Sequence, residues 1–223
     1  MELRYRCLIL DHDDTAVNST AEIHYPAHLE IMKHLRPDRE PISLEGWFLK
    51  NFHPGIMGYL VDELGFSERE LEREYDVWRE YTSSRVPAFF PGFLEVLEDF
   101  KAAGGILTVV SHSEEDVIRR HYEVHDSKSA CLPDVIFGWT CDEEKRKPSP
   151  YPVRAILKRF DLEPGDALIL DDLKPGIVMG GRSGVAAAGA GWAHRIPEIQ
   201  AYMKEHCVAY FTSVSDFREF LFS

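Results

Sequence analysis

The stretch "LILDHDDTAV" (Leu8–Val17) places three aspartates directly after a short apolar run. The continuous run Cys7–Leu10 is typical of a strand that is buried on both faces of a parallel sheet. Neighbouring carboxylates repel one another at a partly desolvated strand end, so Asp11, Asp13 and Asp14 cost stability unless something offsets them. The stretch therefore predicts either a solvated acidic turn or a cation-binding site at the end of the first strand.

Strand-like runs recur along the chain and alternate with helical patterns. Phe93–Phe100 carries one apolar helical face, "SEED" (Ser113–Asp116) resembles a helix-capping box, and Ser149 is the expected N-cap of a later helix. This alternation predicts an α/β fold with a Rossmann-like open parallel sheet. The further predicted strands are Gly105–Ser111, Asp134–Trp139, Ala167–Asp172 and Gly184–Trp192.

Residues 17–87 break this alternation, because they carry helical stripes and no convincing strand pattern. Leu29, Met32 and Leu35 form one stripe, and "SERE" (Ser67–Glu70) resembles the capping box of another helix. We expect an all-helical domain at 17–87, inserted into a core domain formed by residues 1–16 and 88–223.

The charge balance disfavours two classes of partner. Among the 223 residues, 25 Lys and Arg stand against 38 Asp and Glu, which gives a formal net charge of −13. This balance argues against non-specific binding to nucleic acid or to an anionic membrane surface. No window approaches the roughly 20 apolar residues of a membrane span, and the apolar run near the N-terminus is too short for a signal peptide. We expect a cytoplasmic protein that is a monomer or a weak homodimer.

The four cysteines are scattered along the chain and form no C-x-x-C pair. This usage is typical of free thiols in a reducing compartment. A zinc site is the alternative, although its loop lengths match no common zinc pattern. Its ligands would be His121, His125, Cys131 and Cys141.

Polar groups follow several predicted strands, and the carboxyl ends of parallel strands meet in one crevice. They comprise carboxylates for a hard cation, one hydroxyl donor, and an ammonium group that opens the helix at "KRKPSP". Phosphoryl transfer requires this inventory, because a carboxylate can attack phosphorus only when positive charge masks its repulsion with phosphate. The groups are Asp11, Asp13, Ser111, Lys147, Asp171 and Asp172.

Four segments, in this order, resemble the motifs of the haloacid dehalogenase-like (HAD) superfamily of phosphohydrolases. "LILDHDDTAV" resembles the first motif, "TVVSHS" (Thr108–Ser113) the second, "RKPSP" (Arg146–Pro150) the third and "LILDDLKPGI" (Leu168–Ile177) the fourth. The resemblance covers essentially the whole chain, and it places the helical insert where members carry a cap domain. It implies a Mg²⁺-dependent phosphatase of the phosphoglycolate phosphatase and β-phosphoglucomutase-like group, acting on a small phosphorylated metabolite.

The resemblance also implies a role for each matching residue. Asp11 would be the nucleophile that forms an aspartyl-phosphate, and Asp13 would act as general acid and then as general base. Ser111 and Lys147 would hold the phosphoryl oxygens. The Mg²⁺ ligands would be the Asp11 carboxylate, the backbone carbonyl of Asp13 and Asp172, with Asp171 as a further ligand or as support behind the ligands.

Asp14 departs from the family pattern, which usually has glycine after the second aspartate. It adds a negative charge and a side chain where the chain turns sharply. We therefore leave Asp14 outside the catalytic set and expect it to affect metal affinity or cap closure.

Three further residues are candidates for substrate binding. Lys50 and His53 lie in "LKNFHPGIMG" (Leu49–Gly58), which combines a cation, an aromatic ring and an imidazole before a Pro-Gly break. An ordinary inter-helix loop is the alternative for this segment. His112 follows Ser111, and a role in backbone geometry is its alternative.

Simpler interpretations of the motifs remain open at this point. Asp11 and Asp13 could form an acidic turn, Ser111 a strand-end hydroxyl, Lys145–Lys147 a solvated basic run and Asp171-Asp172 a helix N-cap. A phosphomutase of the β-phosphoglucomutase type is the second functional interpretation, because it shares the chemistry of the first step. A non-catalytic Mg²⁺-dependent switch, similar to a response-regulator receiver domain, is the third.

Overall fold

The structure is a computed structural model and describes residues 2–126 and 130–222. The chain divides into two compact units. The first unit comprises the chain up to Asn18 together with everything from Ala88 onward, and the second is Ser19–Pro87. The predicted division of the chain into a core domain and a cap domain, with boundaries at 16/17 and 87/88, stays a prediction.

The first unit is built on a six-stranded sheet in which all neighbouring strands are parallel. The strand order is β3-β2-β1-β4-β5-β6, so β1 lies between β2 and β4. Leu10 is in register with Val109 of β2 and with Leu170 of β4, which brings the ends of these three strands to one level. The strands are β1 (Cys7–Leu10), β2 (Ile106–Val110), β3 (Val135–Phe137), β4 (Ala167–Asp171), β5 (Ala186–Ala190) and β6 (Ala209–Phe211).

Helices form the connections between successive strands and pack against the sheet, as is usual for parallel sheets. The strand β1 is fully buried, with Leu8 and Leu10 at 0% exposure, and it packs in a cluster with Phe93 and Phe100. The helices in chain order are α1 (Tyr25–Leu35), α2 (Leu44–Phe52), α3 (Ile56–Gly58), α4 (Glu68–Ser84), α5 (Phe93–Ala102), α6 (Glu115–His125), α7 (Tyr151–Phe160), α8 (Lys174–Ser183), α9 (Pro197–His206) and α10 (Val214–Leu221).

The second unit contains only helices and turns, and α1 to α4 belong to it. Two π-helical segments, Thr20–His24 and Tyr59–Glu63, precede α1 and follow α3. The predicted capping box at the start of α4 is confirmed, because the backbone N–H of Ser67 donates to the Glu70 carboxylate at 2.9 Å and both reciprocal bonds are present. The prediction of an α/β fold with an open parallel sheet and an all-helical insert is therefore confirmed.

Several local predictions are wrong. Ser113 does not cap α6, because the helix begins at Glu115 and the Ser113 carbonyl accepts a hydrogen bond from the Trp139 amide instead. The N-cap position of α7 is Pro150, one residue after Ser149, but Ser149 Oγ accepts a hydrogen bond from the Tyr151 amide at 3.3 Å and so makes the predicted capping bond. Lys147 does not open this helix, since it lies in the turn four residues before Tyr151. Among the residues that the structure describes, no helix has the length and apolar character needed to span a bilayer.

Candidate active site

Four functional candidates of the first unit lie at the carboxyl ends of three adjacent strands. Asp11 follows β1, Ser111 follows β2, and Asp171 is the last residue of β4, with Asp172 after it. The backbone N–H of Asp11 donates to the Leu170 carbonyl at 2.8 Å, which continues the β1–β4 pairing into the site. The parallel register therefore brings together groups that are far apart in sequence.

Lys147 joins two of these carboxylates. Its ammonium nitrogen lies 2.5 Å from Asp11 Oδ1 and 2.8 Å from Asp171 Oδ2. The Lys147 side chain is 5% exposed, whereas that of Lys145 is 55% exposed, so Lys147 is not part of a solvated basic run. Burial alone lowers the pKa of an ammonium group, but the charges of Asp11 and Asp171 outweigh it and raise the pKa of Lys147 above its ordinary value.

Three buried carboxylates form a cluster around this ammonium group. Asp11, Asp171 and Asp172 each offer an oxygen, and these oxygens lie within 4.8 Å of one another. Burial raises the pKa of Asp11 well above its ordinary range against the opposing effect of Lys147, and the neighbouring carboxylates raise it further. Burial and the charge of Asp171 likewise raise the pKa of Asp172. One ammonium group thus leaves the cluster short of positive charge.

The donor set of this cluster fits a hard divalent cation. All of its ligand atoms are carboxylate oxygens, which Mg²⁺ and Mn²⁺ prefer, whereas zinc and copper favour nitrogen and sulfur. A dication would also stabilise the ionised forms that burial disfavours. Within residues 2–126 and 130–222, this is the one group of three or more His, Cys, Asp or Glu side chains placed to hold a metal.

The predicted general acid lies next to the predicted phosphate-binding hydroxyl. Asp13 is half-buried, and Ser111 Oγ donates a hydrogen bond to Asp13 Oδ2 at 3.1 Å. The same hydroxyl accepts from the backbone N–H of Ser113 at 3.0 Å. Ser111 is therefore oriented by its own loop toward Asp13.

The loop after β1 is held by hydrogen bonds between residues close in sequence. The Ala16 amide donates to the His12 carbonyl at 2.9 Å, and Thr15 Oγ1 donates to Asp11 Oδ2 at 3.3 Å. Asp14 adopts a positive φ of 60°, a left-handed conformation that aspartate tolerates better than most residues. The side chain that replaces the family's usual glycine is buried, with 4% exposure.

Asp171 is fixed from the side of α8. Its Oδ1 accepts from the Leu173 amide at 2.9 Å, while Oδ2 accepts from Lys147. A side chain at Gly176 would place a Cβ 2.0 Å from Asp171 Oδ2, so only glycine fits there. The N-cap of α8 is Leu173, and Asp171 and Asp172 do not occupy that position.

The remaining candidates have other surroundings. His112 is exposed, and its Nε2 donates to the backbone carbonyl of Lys147 at 2.8 Å. In the second unit, the Lys50 ammonium lies 2.7 Å from both carboxylate oxygens of Glu63 and 5.6 Å from the Tyr59 ring centre. His53 is exposed at the end of α2. Lys50 is thus neutralised within its own unit rather than presented as an isolated cation.

The alternative zinc site is not assembled. His121 Nδ1 lies 2.9 Å from His12 Nε2 in the core, and the four cysteines are free thiols. This pairing of His12 with His121 was not predicted from the sequence, because the two residues are 109 positions apart.

Sequence reasoning also missed His194. Its Nε2 lies 3.3 Å from Asp172 Oδ2, and its side chain is 4% exposed. The available signal was its position shortly after the predicted strand Gly184–Trp192, since polar residues after parallel strands face the same crevice.

Known proteins resemble this chain in sequence and in fold. Residues 8–190 match the family model for haloacid dehalogenase-like hydrolases. The pyrophosphatase PpaX of Bacillus velezensis is 24% identical over 196 residues, which cover 85% of this chain and 84% of that protein.

Solved structures show the same fold. A haloacid dehalogenase-like family hydrolase from Streptococcus pneumoniae superposes with a TM-score of 0.77 at 15% identity, covering 97% of this chain and 98% of its own. A protein described as a predicted phosphoglycolate phosphatase from Haemophilus somnus gives a TM-score of 0.74 at 18% identity, covering 97% and 99%. Because the family model spans β1 to β5 and most of the chain, this protein belongs to the haloacid dehalogenase-like hydrolases.

Proposed function

We propose that this protein is a Mg²⁺-dependent phosphatase that hydrolyses a small phosphorylated metabolite through an aspartyl-phosphate on Asp11. The observation that carries the proposal is the buried arrangement of Lys147 between Asp11 and Asp171, with Asp172 in the same cluster. Burial of the Asp11 carboxylate costs folding stability, and a role as the nucleophile that attacks phosphorus accounts for its presence there.

The proposed Mg²⁺ ligands are Asp11, Asp172 and the backbone carbonyl of Asp13, with Asp171 close behind them. When bound, the dication supplies the positive charge that offsets the repulsion between phosphate and carboxylates. Lys147 supplies a second positive charge, and together with Ser111 it is placed to hold the phosphoryl oxygens.

In the first step, a carboxylate oxygen of Asp11 attacks the phosphorus atom and the ester P–O bond breaks. The leaving oxygen takes a proton from the carboxylic acid of Asp13. Ser111 donates to Asp13 Oδ2 at 3.1 Å and so fixes this side chain beside the nucleophile. The products of this step are the free alcohol and an acyl phosphate on Asp11.

In the second step, water attacks the phosphorus atom of the acyl phosphate. Asp13, now a carboxylate, accepts the proton of this water, and the bond between the Asp11 oxygen and phosphorus breaks. Inorganic phosphate leaves, and both carboxyl groups return to their starting protonation states.

The names of the relatives support phosphate chemistry without fixing the substrate. One is called a pyrophosphatase and another is described as a predicted phosphoglycolate phosphatase, and both names refer to hydrolysis of a small phosphorylated compound. An aspartate at position 13 also favours an ester substrate, because an alkoxide leaving group needs a proton donor.

The test replaces the nucleophile and follows the phosphoryl group. Asp11→Asn is expected to lose essentially all release of phosphate from p-nitrophenyl phosphate and from a panel of phosphorylated metabolites. Brief incubation with a radiolabelled phosphoryl donor should label the wild type but not this variant. Asp216→Asn, an exposed change in α10, is the control and should label normally.

Two outcomes would contradict the proposal. Undiminished turnover by Asp11→Asn would exclude the covalent route through this residue. Transfer of the label from the wild type to a sugar hydroxyl, with no release of inorganic phosphate, would identify a phosphomutase instead.

A further inference from the structure

His194 is a further side chain that contacts the carboxylate cluster. It follows β5, which is the neighbour of β4 in the sheet, so the loop that carries it reaches the same crevice as Asp172. His194 Nε2 lies 3.3 Å from Asp172 Oδ2, and the two side chains are 4% and 3% exposed. A buried contact of this kind between an imidazole and a carboxylate is directional and is shielded from competing water.

The loop that carries His194 is anchored two residues earlier. Trp192 Nε1 donates to the Thr15 carbonyl at 3.0 Å, which ties the loop after β5 to the loop after β1. The Trp192 ring also packs near Phe93 and Phe217, with ring centres 6.0 and 6.3 Å away. The position of His194 relative to Asp172 is therefore set by the core and not by a mobile segment.

We propose that His194 is a positioning residue that holds the Asp172 carboxylate in the orientation needed for the divalent cation. This inference rests on the proposed function, because it assigns Asp172 as a metal ligand. It gives a purpose to a buried polar residue that the phosphoryl-transfer steps do not use.

The physical reason is the geometry of a carboxylate ligand. An aspartate that binds a cation is ionised and can only accept hydrogen bonds, so the hydrogen must be on His194 Nε2. A donor to one oxygen restricts rotation of the carboxylate and leaves the other oxygen available to bind a cation. Removal of partners that orient ligands in this way typically weakens metal binding by about 10- to 100-fold.

The experiment measures Mg²⁺ affinity directly by isothermal titration calorimetry of metal-free protein at pH 7.5. His194→Phe keeps an aromatic ring but removes the donor, and it should raise the Kd for Mg²⁺ about tenfold or more. His194→Gln restores an N–H donor and should recover most of the affinity. His28→Phe replaces a buried histidine of the other unit and should bind Mg²⁺ like the wild type.

The outcomes distinguish this inference from the proposed function. A wild-type protein that does not bind Mg²⁺ overturns both. A wild type that binds Mg²⁺ with the same Kd as a folded His194→Phe variant overturns only the role of His194. Should the phenylalanine variant fail to fold, His194→Ala carries the same comparison, since it deletes the donor without adding bulk.

Discussion

The ammonium nitrogen of Lys147 lies 2.8 Å from Asp171 Oδ2, and the two side chains are 5% and 2% exposed. Asp171 thereby holds the lysine beside Asp11, while its own second oxygen is occupied by the Leu173 amide. Lys147 and Asp171 form a buried ion pair. This pair contributes more by positioning Lys147 beside Asp11 than by net stability.

Lys147→Met should damage both stability and activity. Loss of the ammonium leaves the Asp11 and Asp171 carboxylates without their cation, and breaking a buried pair in this way costs about 3–5 kcal/mol of unfolding free energy. We also expect kcat to fall by about 10²- to 10³-fold, as when one electrostatic donor to a reacting oxygen is removed.

The measurements are urea unfolding without metal and turnover of p-nitrophenyl phosphate. Lys145→Met is the matched control, because Lys145 is 55% exposed in the same sequence run. The control should stay within about 0.5 kcal/mol of the wild type. Equal losses of stability and turnover in the two variants would show that the buried position of Lys147 gives it no particular role.

Asp13→Asn should be most harmful with poor leaving groups. An amide cannot supply a proton, so hydrolysis of a sugar phosphate should slow by about 10²- to 10⁴-fold. p-Nitrophenyl phosphate needs little protonation of its leaving group and should lose less in the first step. The comparison of kcat/KM for the two substrates checks this, and identical losses would argue against an acid role.

Chelation of divalent metal should abolish turnover and lower stability together. The buried carboxylates repel one another without a dication, so Mg²⁺ should raise the unfolding midpoint in urea. At a concentration of 100 Kd the expected gain is about 2.7 kcal/mol. Asp172→Asn should reduce this gain, and full activity in excess chelator would exclude the metal role.

His28 should make the helical unit sensitive to mild acid. Its imidazole is buried among aromatic rings, 4.3 Å from the Trp47 ring centre and 5.7 Å from that of Tyr59, and burial lowers its pKa to about 4. The unfolded chain takes up a proton near pH 6.5 and the folded one only near pH 4, so stability is lost as pH falls between these values. The loss should approach about 3 kcal/mol.

The comparison of wild type with His28→Phe isolates this effect from the titration of carboxylates. Unfolding free energies at pH 7.5 and pH 4.5 should differ less in His28→Phe than in the wild type. His34→Gln, an exposed change in the same helix, should leave the wild-type difference intact. An unchanged pH dependence in His28→Phe would contradict the prediction.

Lys50→Ala and His53→Ala test whether the helical unit selects the substrate. We expect kcat/KM to fall more for a sugar phosphate that the wild type hydrolyses than for p-nitrophenyl phosphate. The aryl ester has few groups besides its phosphate that the helical unit could bind. Glu63→Gln is informative beside them, since it releases Lys50 from its ion pair without removing the ammonium. Uniform effects on both substrates would show that specificity is set elsewhere.

The sheet could be predicted where hydrophobicity alone decides the structure. Cys7–Leu10 was predicted with the bounds that it has, because a strand that is buried on both faces must be apolar throughout. The strand-end rule then placed Asp11, Ser111 and Asp171 in one crevice, and the parallel register brings them together.

Other features depend on tertiary contacts that no local pattern reveals. The edge strand β6 has three residues and is only partly buried, so Ala209–Phe211 gave no recognisable run. Ser113 has the residue type of a helix cap, but the Trp139 amide competes for its carbonyl across the sheet end. The contact of His194 with Asp172 can be recognised only when β5 is known to lie beside β4.

The close approach of Gly176 to Asp171 restricts which sequences can carry this site. Any Cβ at position 176 would clash with the Asp171 oxygen that binds Lys147. Displacing Asp171 would in turn displace Lys147 from the proposed nucleophile Asp11. Position 176 thus leaves no room for a side chain, although Gly176 is neither a proposed metal ligand nor a proposed catalytic group. In a saturation library of this gene, position 176 would stand out as invariant, and an observer without the structure would mistake it for a contact with the substrate.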